Sequence, residues 1–422
     1  MKIAALIMFI VMYALMIAWQ SKRMYVALVT AAIFVIVGIM PISKVAGEIN
    51  WNILLMLAGT MGTVSLFIES KMPNRMADII LKKMPDIKWA IIAMSVFAGI
   101  VSAFIDNVAT VLMIAPVGLA IAKKLNISPV AMLISISVSS NLQGAATLVG
   151  DTTSILLGGY ADMDFIDFFF MNGKPGIFWA VELGAVATVF VMMFLFRKEK
   201  GNIETTEMTV VRDYVPSILL VLNVVLLIVA SFIENKPEIT NGIICMAIFV
   251  IALLYSILKN KNFDCVKNAV KEIDYVTLLL LAGLFVVIGG ITEVGIIDDI
   301  SKIIVNIGGD NLFILYTVIV WASVLFSAFI DNIPYVATML PVIQGIAALI
   351  GCSPYVLYFG LLIGATLGGN ITPIGASANI ATIGILRKEG HTVSLKDFLR
   401  IGLPFTLSAV LVGYLFIWFV WA

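Results

Sequence analysis

The stretch SAFIDNVATVLMIAP, residues 102–116, decides the fold because the chain contains it twice. It recurs as SAFIDNIPYVATMLP at residues 327–341, an offset of 225 residues. The 20-residue segments that begin at these two serines are identical at ten positions, and an Asp-Asn pair interrupts apolar sequence in both. A repeat of this kind is typical of membrane transporters built from two related halves.

Other segments repeat at nearly the same spacing. QGAATLVGDTTS (143–154) aligns without a gap onto GGNITPIGASAN (368–379), again at an offset of 225 residues. LLMLAG, which ends at Gly59, matches LLLLAG, which ends at Gly283. One unit is therefore predicted to be duplicated along the whole chain. The predicted repeats are residues 1–200 and 201–422.

The composition places most of the chain in lipid. Hydrophobic residues make up 61% of the 422 residues, and only 12% are charged. A soluble protein of this length could not bury so much apolar surface, so we predict an all-α integral membrane protein. The formal net charge is zero, which argues against a nucleic-acid partner. The three cysteines are far apart in sequence and are predicted to be packing residues: Cys245, Cys265 and Cys352.

Eight apolar runs are long enough to cross a bilayer, at about 20 residues each. They lie near residues 2–19, 24–41, 51–69, 176–196, 214–233, 240–258, 275–293 and 401–421. Two shorter segments, 72–84 and 296–308, carry an apolar stripe opposite charged residues. Such segments are predicted to be helices that lie along the membrane surface.

Two regions in each half do not have the pattern of a plain span. Residues 88–122 and 312–348 carry the Asp-Asn pair near their centre, which favours a re-entrant hairpin with a polar tip at mid-membrane. Residues 128–158 and 353–386 are interrupted by glycine, threonine and serine, which favours a broken helix that lines a protein cavity. The alternatives are a tight helix-packing seam at the glycines and Asp-Asn pairs that merely cap the hairpin helices.

Each half is then predicted to have three spans, a re-entrant hairpin, a broken helix and a final span. Five crossings per half insert the second repeat in the opposite orientation, so the repeats have inverted topology. Basic residues agree with this arrangement, because 21 of the 26 Lys and Arg residues fall on one face. That face is predicted to be cytoplasmic, with both termini outside the plasma membrane. No basic residue is left for the membrane interior.

Acidic residues at membrane depth are costly and point to function. They are Asp106, Asp331, Asp151 and Glu182, although Glu182 could equally be a helix-end residue that reaches water. Without an intramembrane Lys or Arg, their expected partners are Na⁺ or protons. Na⁺, a hard cation, prefers oxygen ligands. The Na⁺ candidates are Asp106 and Asn107 in the first half, and Asp331 and Asn332 in the second.

Each hairpin tip is predicted to face the broken helix of its own half and to form an ion or solute site with it. Loops 146–151 and 371–377 would supply free carbonyl groups and hydroxyls. The complete set of candidate binding residues is Asp106, Asn107, Thr110, Ala146, Thr147, Gly150, Asp151, Thr152, Asp331, Asn332, Thr338, Asn370, Thr372, Gly375, Ser377 and Asn379.

Enzymatic and ATP-driven chemistry lack the residues that they need. The sequence contains no phosphate-binding loop of the GxxxxGK[ST] type, so the chain does not carry its own ATPase. His391 is the only histidine and lies in a predicted cytoplasmic loop. We therefore expect no catalytic residues, no cofactor, and neither a histidine relay nor a metal cluster.

The two FIDN segments and the paired loops GAATLVGD and GGNITPIGASAN resemble the ion transporter superfamily. The resemblance covers nearly the whole chain. Within that superfamily it indicates the permease group of arsenite pumps, NhaD-type sodium/proton antiporters and the melanosomal P protein, which is related to citrate and dicarboxylate transporters. It implies an elevator movement, a homodimer, and tip and loop roles for the residues named above. The first loop departs from the family's GDPPN, because residues 150–154 are GDTTS.

Several transport functions stay open at this point. The expected function is secondary active transport coupled to Na⁺ or H⁺, either arsenite- or antimonite-like efflux or Na⁺/H⁺ exchange. A Na⁺-coupled citrate or dicarboxylate transporter is the alternative, but an aspartate at each tip would repel a dianion at low dielectric. A passive channel, or the membrane subunit of an ATP-driven arsenite pump with a separate ATPase, would be a different class.

The charge distribution predicts the position of both termini. A single cysteine in place of Lys2 or Ala422 should react with an impermeant maleimide added to intact cells. Labelling only after permeabilisation would contradict the predicted orientation.

Overall fold

The computed structural model describes residues 1–124, 127–199, 201, 208–261, 263–309 and 311–422. Within these ranges each half contains ten α-helices in the same order. The first half consists of α1 (Lys2–Ala18), α2 (Arg23–Ile36), α3 (Ile42–Glu48), α4 (Trp51–Glu69), α5 (Met72–Leu81), α6 (Ile87–Ser102), α7 (Asn107–Lys124), α8 (Val130–Gly144), α9 (Thr152–Tyr160) and α10 (Ile177–Leu195).

The second half consists of α11 (Val215–Ala230), α12 (Thr240–Asn260), α13 (Asp264–Lys271), α14 (Tyr275–Glu293), α15 (Ile296–Gly308), α16 (Leu312–Ser327), α17 (Asn332–Ile350), α18 (Tyr355–Gly368), α19 (Ser377–Lys388) and α20 (Leu395–Trp421). Short 3₁₀ turns occupy Gln20–Lys22, Ile166–Phe168 and Gly369–Ile371. Strands β1 (Phe170–Met171) and β2 (Lys174–Pro175) form a small antiparallel hairpin before α10.

The predicted all-helical membrane fold is confirmed. Six helices, α4, α10, α12, α14, α17 and α20, are individually long and apolar enough to cross a bilayer. The pairs α1–α2 and α15–α16 also pass that test together, with bends of 116° and 114°. Helix α2 ends at Ile36, earlier than residue 41, because Gly38 adopts a left-handed conformation that stops the helix before Pro41.

The hairpin regions fold as pairs of helices. Helices α6 and α7 are joined by residues 103–106, and α16 and α17 by residues 328–331, close to the centres of the predicted hairpins. Helices α5 and α15 occupy the two amphipathic segments. In α15 the side chains of Ile296 and Ile297 are buried, whereas Asp298 and Asp299 are exposed.

The helix breaks also lie where the glycine-rich segments predicted them. Residues 145–151 separate α8 from α9, and residues 369–376 separate α18 from α19. Gly150 and Gly375 each lie so close to the neighbouring backbone that an added Cβ would fall within 2.6 Å of a carbonyl oxygen. Only glycine fits such an approach.

The core interleaves the two halves. Helix α4 packs against α12, and α2 packs against α14, so two helices in each half find their main partner in the other half. Each hairpin packs on the broken helix of its own half, α6 on α8 and α16 on α18, while α10 and α20 pack on each other. Cys245 is buried and Cys352 is half-buried, as packing residues would be; the side chain of Cys265 lies outside the described part.

The paired helices predict the accessibility of the hairpin ends. If each hairpin enters and leaves by one face, cysteines replacing Lys83 and Ser128 should both react from the cytoplasm. Cysteines replacing Asn306 and Ser353 should both react from outside. All four residues are exposed, so their labelling reports topology rather than burial. Opposite labelling within either pair would show a complete crossing and would contradict the inverted arrangement.

Candidate functional site

A cavity of about 630 Å³ lies between the two halves. Both hairpin tips and the ends of both helix breaks line it, and it extends past α4 to the α13–α14 junction. Its polar lining is mostly acidic or neutral. The residues that line it include Thr60, Ser65, Glu69, Asp106, Asn107, Asp151, Thr152, Asn268, Glu272, Asp274, Thr277, Asp331, Asn332 and Ser377.

The first tip holds Asp106 at the beginning of α7. Its Oδ2 accepts hydrogen bonds from the backbone N–H groups of Val108 and Ala109, at 3.0 and 3.1 Å. Asp106 therefore caps the hairpin helix, as the simpler alternative proposed, and the helix dipole favours its charge. Within the described residues its Oδ1 has no hydrogen-bond donor and no basic partner. One carboxylate oxygen thus stays available to the cavity.

Asp151 begins α9 at the first helix break. Its Oδ1 accepts a hydrogen bond from the backbone N–H of Thr152 at 2.7 Å, and its Oδ2 accepts one from the Thr153 hydroxyl at 2.9 Å. The same hydroxyl is 3.1 Å from that of Thr366 in the other half. The structure thus places a second carboxylate beside the first tip, held by neutral donors.

The second tip differs in charge. The guanidinium of Arg23, the first residue of α2, forms an ion pair with Oδ2 of Asp331, and the side chains are only 17% and 19% exposed. Ser377 donates to the same oxygen at 3.1 Å, and the backbone N–H of Ile333 donates to Oδ1 at 3.1 Å. The prediction that no basic residue reaches the membrane interior was wrong for Asp331. The bend between α1 and α2 brings Arg23, counted at the cytoplasmic face, to this tip.

Each helix break is fastened to its hairpin tip by main-chain contacts. The hydroxyl of Thr147 donates to the carbonyl oxygen of Ala103, and that of Thr372 donates to Ala328. These two threonines are equivalent in the repeat, and so are the two carbonyl groups. Thr147 and Thr372 therefore position the tips, and they do not line the cavity.

The predicted site residues separate into two groups. Those that line the cavity are Asp106, Asn107, Asp151, Thr152, Asp331, Asn332 and Ser377. The others support the site from behind: Thr110, Ala146, Thr147, Gly150, Thr338, Asn370, Thr372, Gly375 and Asn379. Among them, Thr338 is bound to the hydroxyl of Tyr13 at 2.5 Å. Glu182 lies on α10, where it accepts a hydrogen bond from Gln143 at 3.3 Å, away from the cavity.

Four contributors were missed from sequence. Glu272 and Asp274 line the cavity, but Asp274 has the pattern of an ordinary helix cap and does cap α14 through Thr277. Arg23 lies 308 residues from its partner. Asn141, a single amide within an apolar helix, is fully buried and bonded to residues of both halves. Only Asn141 had a signal in the sequence, as an unpaired amide inside a span.

The arrangement suits exchangeable ions more than a tightly held metal. No group of three or more His, Cys, Asp or Glu side chains in the described ranges is placed to hold a metal ion. Six acidic side chains nevertheless line one cavity: Glu69, Asp106, Asp151, Glu272, Asp274 and Asp331. Such a cavity attracts cations and repels anions, except where Arg23 cancels the charge of Asp331.

Solved structures share the fold. The YdaH transporter of Alcanivorax borkumensis matches 89% of this chain and 86% of its own, with a TM-score of 0.60 at 12% identity. The Neisseria gonorrhoeae protein MtrF matches 93% of this chain and 85% of its own, with a TM-score of 0.58 at 14% identity. At these identities the likeness concerns the fold alone.

Sequence relatives are transporters by name. An uncharacterized transporter of Mycobacterium bovis is 29% identical over 434 residues, which cover 99% of this chain and 98% of the relative. The P protein of Mus musculus is 26% identical over 468 residues, which cover 92% of this chain and 56% of that protein, and this match confirms the resemblance noted from the FIDN segments. The citrate transporter family CitMHS matches residues 6–364. The chain therefore belongs to the CitMHS family and is a membrane transporter.

Proposed function

We propose that the chain is a secondary active transporter that couples a small solute to Na⁺ or H⁺. The observation that carries this proposal is the shared cavity, which both hairpin tips and both helix breaks line and where Asp106 has no basic partner among the described residues. A carboxylate in such a place is tolerable when a cation or a proton accompanies it. If the tip moves only when that charge is neutralised, solute and ion move together.

An elevator movement is supported by how the helices are grouped. Helices α2, α4, α12 and α14 pack on one another across the halves, and the hairpins pack on the broken helices. The first group would be the scaffold and the second the moving part. Exposed apolar side chains on α1, α2, α11 and α12 would face lipid or the partner of a homodimer.

The solute we propose first is a small neutral hydroxy-acid such as arsenite or antimonite, or a cation exchanged for protons. Neither is repelled by a cavity lined with carboxylates. Na⁺-coupled transport of citrate or a dicarboxylate is the second candidate. It is favoured by the Arg23–Asp331 ion pair, which removes the net charge of one tip, and by the description of the matched family.

The distinguishing experiment is transport by the purified protein in liposomes. Arsenite, antimonite, Na⁺, citrate, dicarboxylates and sulfate would be offered under imposed Na⁺ or H⁺ gradients. Flux that accumulates a solute against its own gradient supports the proposal. Flux only down the solute gradient would indicate a channel, and a need for ATP and a second subunit would indicate a pump component.

Asp106→Asn keeps the size of the side chain and one acceptor for the α7 cap, so the protein should fold. Transport should fall about tenfold or more, because a charged ligand worth at least about 1.4 kcal/mol is lost. Any remaining flux should lose its dependence on the ion gradient. A matched variant is Glu182→Gln, which alters a carboxylate away from the cavity and should leave coupling intact. Wild-type rates and ion dependence in Asp106→Asn would contradict this role.

Arg23→Gln leaves Asp331 with only neutral donors. Removal of one partner from a half-buried pair should lower stability by about 2 kcal/mol. Na⁺ can then replace the guanidinium, so the melting temperature should rise more steeply with Na⁺ than in the wild type. The double variant Arg23→Gln/Asp331→Asn should lose that extra dependence. An unchanged Na⁺ response in Arg23→Gln would contradict the contact.

A further inference from the structure

The two tips have the same sequence, SAFIDN, but their asparagines are held in opposite ways. Asn107 donates a hydrogen bond from Nδ2 to Oδ1 of Asn141 at 2.9 Å. Asn332 accepts one at Oδ1 from the hydroxyl of Ser327. Both asparagines line the cavity, although they are only 6% and 5% exposed. In the described part of the chain, Oδ1 of Asn107 and Nδ2 of Asn332 have no other partner. The first tip thus offers an acceptor to the cavity, and the second offers a donor.

The orientation at the first tip is fixed from a distance. Asn379 donates from Nδ2 to the carbonyl oxygens of Gly369 and Thr372, at 2.9 and 3.0 Å. Carbonyl groups only accept, so Oδ1 of Asn379 must point the other way, towards Nδ2 of Asn141 at 3.0 Å. Oδ1 of Asn141 then faces Asn107, whose Nδ2 must donate. None of these amides can turn without the loss of a buried hydrogen bond.

A second branch holds Asn141 in the same orientation. Its Nδ2 also donates to Oδ1 of Asn370 at 2.7 Å, and Asn370 donates in turn to the carbonyl oxygen of Val138 at 3.0 Å. Asn141 is fully buried and does not line the cavity. It is therefore a positioning residue that sets the polarity of a side chain in the site.

Two substitutions between the repeats account for the opposite orientation at the second tip. Ser140 and Asn141 on α8 are replaced by Ala365 and Thr366 on α18. The Ser140 hydroxyl is 3.0 Å from that of Ser102, so Ser102 is engaged by α8. Ala365 has no hydroxyl, and the equivalent Ser327 contacts Oδ1 of Asn332 instead.

The charges agree with the amides. At the first tip the acceptor of Asn107 lies beside Asp106, which has no basic partner among the described residues. At the second tip the donor of Asn332 lies beside Asp331, whose charge Arg23 cancels. We infer that the first tip binds the cation and that the second binds oxygen atoms of the solute. This inference rests on the proposed function, and it assigns different ligands to two tips of identical sequence.

The test measures equilibrium binding to the purified full-length protein through its melting temperature. Na⁺ would be titrated as chloride against choline chloride at constant ionic strength. Citrate and arsenite would be titrated as choline or Tris salts at saturating Na⁺. The variants are Asn141→Thr, which copies the second half, and Ser327→Ala. Ser135→Ala is the matched control, because Ser135 is buried on α8 and its hydroxyl has no partner in the described structure.

Asn141→Thr should raise the half-saturating Na⁺ concentration about tenfold and change that of the solute less than about twofold. Ser327→Ala should do the reverse, and Ser135→Ala should change neither. If Asn141→Thr does not fold, Asn107→Ser removes the same oxygen without a change in the buried chain and should weaken Na⁺ equally. A purely structural role would lower the melting temperature without this separation between ligands.

Equal effects of each variant on both ligands would overturn the inference. So would the absence of Na⁺ stabilisation in the wild type. Stabilisation by Na⁺ but by neither solute would overturn the assignment of the second tip. Failure of coupled flux in liposomes is a separate result, because it would contradict the proposed function while leaving the binding measurements valid.

Discussion

The close approach of each helix break to the backbone of a hairpin tip is the contact on which the site depends. Gly150 and Gly375 allow it, because no other residue fits against the carbonyl groups there. Thr147 and Thr372 then bond to the backbone of the tips. Main-chain atoms make this contact, so tip and break keep a fixed geometry. The polar groups of one cannot be placed without those of the other.

On that common frame the two halves have diverged behind the site rather than in it. The tips keep SAFIDN, while α8 carries Asn141 where α18 carries Thr366. Buried polar groups must be paired, so a change in one amide redirects its neighbours as far as the cavity. Arg23, from a helix outside both hairpins, adds a difference in charge. Ligand preference can therefore change while the tip sequence stays the same.

Much of the fold could be predicted because its signals are local. Apolar run length, interrupting glycines and the repeat itself located the spans, hairpins and breaks to within a few residues. The pairing of Arg23 with Asp331 could not be predicted, because charge alone assigned Arg23 to a surface loop and only the bend after α1 brings it inward. Asp274 was missed because a helix cap and a cavity residue have the same sequence pattern. Seven of the predicted site residues line the cavity, and the rest act from behind it.

The interleaved packing has a consequence for biosynthesis. Helices α2 and α4 of the first half find their main partners, α14 and α12, only after the second half has been made. Asn141 likewise finds Asn370 and Asn379 only then. The first half must therefore wait in the bilayer with an unpaired amide and unburied helix faces, which is costly in hydrocarbon. Assembly of this transporter is thus a late event that completes both halves at once, rather than the folding of one repeat followed by the other.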